Sequence, residues 1–107
     1  MALHHVAAGE KIHLPSSLDP ASDGKTLALV KTDRFEAVQL VLPAGNHIAV
    51  HSVPGYATVH CLAGSVVIET EERVQLDAGD WLYLDRGQKH SVFAIADSSL
   101  LVTIIFD

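Results

Sequence analysis

The sequence predicts an all-β domain, a barrel or sandwich of about nine short strands. Three observations carry this expectation. Turn signals recur roughly every 8–12 residues after residue 25. The runs between them are apolar and partly β-branched. No segment there keeps a 3.6-residue apolar period, so any helix should be short and near the N-terminus.

The elements follow in order. Residues 1–24 form a loop-rich lead-in, with Ser16, Ser17, Asp19, Pro20, Ser22, Asp23 and Gly24. Thr26–Lys31 is the first strand, and Thr32-Asp33 turns the chain. Phe35–Leu42 alternates and stops at Pro43-Ala44-Gly45. His47–His51 is short and extended, and Pro54-Gly55 is a turn. Ala57–Leu62, Ser65–Thr70 and Arg73–Leu76 follow, the last two around a tip at Glu71-Glu72. Asp77-Ala78-Gly79-Asp80 turns into Trp81–Leu84, and Asp85-Arg86-Gly87-Gln88 turns again. Ser91–Ala96 and Leu100–Phe106 close the chain. At 107 residues this is one domain, with the lead-in over 1–24 and the barrel over 25–107.

Composition narrows the function classes. Apolar residues make up 49% of the chain, which argues against disorder. The net charge of −6 and the scattered basic residues argue against nucleic acid and against anionic membrane surfaces. A single cysteine, Cys61, allows no internal disulfide. The N-terminus lacks a basic region followed by a long apolar run, and no stretch reaches the ~20 apolar residues of a membrane span. A cytoplasmic protein is the expectation.

Two glycine-anchored segments surround two histidines. The first begins Gly45-Asn46-His47-Ile48-Ala49-Val50-His51 and runs through Val53-Pro54-Gly55 to Gly64. The second is Gly79-Asp80-Trp81-Leu82-Tyr83-Leu84-Asp85-Arg86-Gly87-Gln88-Lys89-His90. This rhythm resembles the two motifs of the cupin superfamily, and the resemblance covers about residues 26–106. Gly45, Gly64, Gly79 and Gly87 match the family's glycines, and His51 and His90 match two of its metal-ligand positions. The other two, a histidine and a glutamate, hold Val53 and Ala57. The second motif's proline and asparagine positions hold Asp85 and Ala94. In detail the chain is similar to small single-domain bacterial cupins of the cupin 2 conserved-barrel type. The resemblance implies a cupin-type double-stranded β-helix, that is, a jelly-roll barrel, and a dimer.

The candidate pocket residues are His51, His90, Val53, Ala57 and Cys61. If Ala57 faces inward, alternation turns Val59 and Cys61 inward and His60 outward. Cys61 reads foremost as a buried, inert thiol. The candidate metal ligands are His51 and His90, with His47 as a weaker third. His47 shares a face with His51 in a regular strand, but roughly 13 Å away at ~3.3 Å per residue, so sharing one ion requires a bend or bulge. If a cofactor binds, a divalent transition metal (zinc, iron, manganese or nickel) is the expectation. Trp81 and Tyr83 share a face suited to a core, an interface or ligand stacking. One of Arg34, Glu36 and Gln39 is expected to approach the pocket.

Two functions follow. The first is a binding barrel that holds a small, mostly apolar molecule in its mouth, oriented by His51 and His90. The alternative is a metal-dependent enzyme, an isomerase or dioxygenase, built on the same two histidines. A homodimer is expected, because edge strands gain from pairing and Leu100–Phe106 offers an apolar strand to bury.

Overall fold

The computed structural model describes residues 5–14 and 26–106. Nine strands form: β1 (Thr26–Lys31), β2 (Phe35–Leu42), β3 (His47–His51), β4 (Tyr56–Ala63), β5 (Ser65–Glu69), β6 (Arg73–Asp77), β7 (Trp81–Leu84), β8 (His90–Ala94) and β9 (Ser98–Ile105). They make two antiparallel sheets, ordered β1-β2-β9-β4-β7 and β3-β8-β5-β6. Four of the nine, β1, β2, β3 and β7, have the limits that the sequence predicts. Residues 5–14 contain a turn at Ala8-Gly9, and no helix occurs among the described residues. The rest of the lead-in, residues 15–24, lies outside the described residues, as does His4. No described helix is long and apolar enough to cross a membrane.

The sheets face each other across one apolar core. Val59, Cys61 and Leu100 from one sheet meet Val66, Ile68, Leu76 and Val92 from the other. Gly45, Gly64, Gly79 and Gly87 all adopt positive φ, which is why the turns need glycine there. Gly64 carries a second constraint. A Cβ at this position would collide with Asp97 O and the Ser98 hydroxyl. Ser98 is fully buried; its hydroxyl accepts the Ser65 N–H at 3.0 Å and donates to Ala96 O at 2.7 Å. Any side chain at Gly64 breaks that knot.

The five-stranded sheet turns its other face outward, and the register shows what stands there. One row runs Trp81, His60, Leu101, Gln39, Leu27. The next runs Tyr83, Thr58, Thr103, Ala37, Val30. A third runs Tyr56, Ile105, Phe35. The C-terminal run Leu100–Phe106, read from the sequence as an apolar strand to bury, falls in the interior of its sheet. β9 lies between β2 and β4 and is paired along both sides.

Gly64→Ala should cost about 3 kcal/mol or more, from overpacking plus the left-handed backbone. Gly79→Ala meets nothing within 4 Å of its Cβ, so only the backbone cost of ~1–2 kcal/mol remains. Urea melts of the two variants should separate in midpoint in that order.

Candidate functional site

Two histidines come together because β3 is irregular. Its register against β8 slips between Ile48 and His51. In a regular strand, residues three apart face opposite ways. The bulge cancels that, so Ile48 and His51 both face the interior. His51 pairs with His90, the first residue of β8. The ring centroids are 4.3 Å apart and tilted by 57°.

Each ring is fixed by a backbone carbonyl two residues earlier. His51 Nδ1 lies 3.0 Å from Ala49 O, inside the bulge. His90 Nδ1 lies 3.1 Å from Gln88 O. A carbonyl only accepts, so each Nδ1 carries a proton, and in the neutral ring it is Nε2 that has the lone pair. No hydrogen bond among the described residues occupies either Nε2. Gln88 is itself held in a tight turn. It accepts the Asp85 N–H on Oε1 at 2.9 Å, and Asp85 Oδ1 accepts the Arg86 N–H at 2.9 Å. Asp85, which replaces the family's proline, braces the turn through side-chain acceptance instead. The Arg86 N–H first, and then the Tyr83 hydroxyl, both donating to it, hold its carboxyl below the usual carboxylate range.

The histidines close one side of a cavity of about 150 Å³. The rest of its wall is Val38, Leu40, Ile48, Val53, Ala57, Val59, Leu84, Val92, Leu100, Val102 and Ile104. His90 is only 7% exposed, whereas His51 is open to solvent. Burial pushes the His90 ring below its ordinary value; the Gln88 carbonyl partly opposes this, and the nearby His51 adds to it. The neutral ring is the form this site accommodates.

The wall holds His51, His90, Val53 and Ala57. Two other candidates stand elsewhere. His47 lies on the far side of the bulge, pairs with Phe93 and is exposed on the outer face. The irregularity that brings His51 inward thus separates it from His47. Cys61 is fully buried but lies outside the cavity wall. Its Sγ points to Ala63 O and Gly64 O at 3.4 and 3.8 Å, and burial raises its pKa. Trp81 and Tyr83 stand on the outer face, 59% and 51% exposed. Gln39 is buried on that same face and donates from Nε2 to Ser99 Oγ at 2.9 Å. Glu36 has the inward parity of Val38 and Leu40 but is not part of the wall. The sequence reading missed the aliphatic lining from β2 and β9. Alternation within those two strands was the signal that marked it.

The comparisons with known structures agree. A cupin superfamily protein from Desulfitobacterium hafniense superposes with a TM-score of 0.80 at 20% identity, covering 100% of both chains. The chain has the cupin fold. A conserved Streptococcus pyogenes protein of unknown function matches this chain with a TM-score of 0.78 at 20% identity, over 100% of this chain and 98% of that one. The DMSP lyase DddQ from Ruegeria pomeroyi matches with a TM-score of 0.73 at 21% identity, over 85% of this chain and 51% of that one. Cupin-fold neighbours thus include both an enzyme and a protein of unknown function. No family model matches the sequence, and no curated protein matches it.

A retained metal ion needs three or four protein donors converging on one point. Among the described residues no group of three His, Cys, Asp or Glu side chains does so. The positions that would complete the set hold Val53 and Ala57. The donor set of this chain is two imidazoles, which does not fit a tightly held ion.

Unfolding returns His90 to its ordinary value of 6.5. Below that pH the unfolded chain takes up a proton that the folded chain resists. The contribution to stability is therefore complete above pH 6.5 and lost as pH falls through the lower folded value. Urea melts across this window should show a steeper loss in the wild type than in His90→Asn.

Proposed function

We propose that this cupin barrel binds a small, mostly apolar molecule, with the Nε2 atoms of His51 and His90 as acceptors for one polar group on it. One observation carries the reading: a cavity of about 150 Å³ whose wall is eleven apolar side chains and two imidazoles. An apolar cavity of about this volume is large enough for a benzene-sized ring. Burial of the ring supplies affinity without direction. Direction comes from the histidines, whose tautomers are set by Ala49 O and Gln88 O before any ligand arrives. A hydroxyl or N–H on the ligand completes the one pair of polar groups in the wall, while a pure hydrocarbon leaves them unpaired.

Phenol and toluene are suitable probes, since they share a ring and differ in one donor. Both should shift the resonances of wall residues in NMR titrations and raise the melting temperature. Phenol should bind roughly 2–10-fold more tightly, the worth of one net hydrogen bond. The His51→Ala/His90→Ala double variant should lose that preference while still binding toluene. Val53→Phe, which fills the mouth, should bind neither. An absence of wall-residue shifts at saturating concentrations of both probes would reject the reading.

A further inference from the structure

The polar groups of the cavity are all of one kind. The Nδ1 atoms of His51 and His90 are committed to Ala49 O and Gln88 O, so in the neutral rings each Nε2 is a hydrogen-bond acceptor. The other eleven wall residues are aliphatic, with no polar side-chain atom. The wall therefore offers a guest two side-chain acceptors and no side-chain donor. His90 is almost fully buried, yet among the described residues no buried side-chain nitrogen or oxygen lacks a partner. Its unpartnered Nε2 is thus reached through open space, and the space that His90 lines is the cavity. His51 stands beside it at the solvent end, with the ring centroids 4.3 Å apart.

We propose that the guest of this cavity carries two hydroxyls on neighbouring carbons of an aromatic ring, one for each Nε2. The inference rests on the proposed binding function and narrows its ligand to one chemical class. A donor count excludes the others. A single hydroxyl has one proton and pairs with one histidine only. The second Nε2 then either faces the guest's apolar edge unpaired or keeps a water for which the guest must leave room. Carboxylates, ketones and amides bring acceptors of their own, and the wall has no side-chain donor to meet them. An alkyl ammonium has donors enough, but its charge must be stripped of water among aliphatic side chains. A phenolic oxygen shares its lone pair with the ring, so it donates well and accepts weakly.

Position selects the ortho isomer. The two acceptors lie on one side of the cavity, so both donors must leave the same edge of the guest's ring. Two O–H···N bonds of about 2.8 Å, splayed from neighbouring hydroxyls, reach acceptors on rings 4.3 Å apart. The rest of the guest then meets only Val, Leu, Ile and Ala side chains. A para hydroxyl is driven against that aliphatic wall and left as a buried, unpaired polar group. Meta hydroxyls diverge twice as widely and bend at least one of the two bonds.

Catechol, resorcinol and hydroquinone are the probes, since they share composition and donor number and differ only in hydroxyl spacing. The NMR shifts of wall residues follow each titration on the full chain. Oxygen is excluded, the pH is mildly alkaline so that imidazole is neutral, and a chelator ensures that no ion bridges guest and protein. Catechol should bind roughly 2–10-fold more tightly than either isomer, the worth of one net hydrogen bond. Its binding should move the Nε2 resonances of both histidines. His51→Phe, which keeps a ring but no acceptor, should abolish the preference while toluene still binds. Catechol binding no tighter than its isomers, with wall shifts present, overturns the inference and leaves the binding function standing. A preference that survives His51→Phe overturns it as well. An absence of wall shifts with catechol and toluene alike rejects both.

Discussion

β9 exchanges backbone hydrogen bonds with β2 along one side and β4 along the other, over almost its whole length. Both faces of the five-stranded sheet take their character from that doubly paired strand. Leu100, Val102 and Ile104 point inward and floor the cavity. Leu101, Thr103 and Ile105 point outward into the uncharged rows. A slip of one residue would exchange the two sets, placing threonine in the core and aliphatic floor residues in water. Ser98 and Gly64 stand where such a slip is blocked. The serine is buried with its hydroxyl engaged, and the glycine backbone passes too close for any side chain.

Where the residue pattern is regular, the sequence reports the structure directly. β2, alternating from Phe35 to Leu42, and β7, from Trp81 to Leu84, have the limits read from the sequence. The glycines of the four turns are legible for the same reason, since few other residues tolerate their backbone. The irregular step in β3 was not legible. Ile48-Ala49-Val50-His51 contains neither glycine nor proline, and nothing in it announces an extra residue. Strict alternation therefore puts His47 and His51 on one face, and the bulge puts them on opposite ones. Cys61 is the buried thiol that the sequence suggests. Its inward parity is right, but it lies outside the cavity wall and turns its sulfur toward the Ala63 and Gly64 carbonyls.

The histidine pair owes its chemistry to main-chain geometry more than to neighbouring side chains. Each ring binds a carbonyl two residues back, one in the bulge and one in the Asp85–Gln88 turn. That orientation would suit a metal ligand and a hydrogen-bond acceptor equally, because both need a free Nε2 lone pair. The surroundings support the acceptor role that the proposed function assigns. Val53 and Ala57 add no donors, and the aliphatic wall favours an organic guest over a hydrated ion.

β3 is an edge strand of five residues, joined to its sheet through β8 alone. Releasing it breaks a single, already interrupted ladder, whereas releasing β9 breaks two. The side of the cavity that carries His51 therefore opens at lower cost than the floor supplied by β9. In hydrogen-exchange terms, its amides belong to an early-opening unit and those of β9 to the last. For the small-molecule guest proposed above, exchange with solvent would then proceed by fraying of β3 while the floor stays folded. The rate of exchange and the depth of binding are thus governed by different strands.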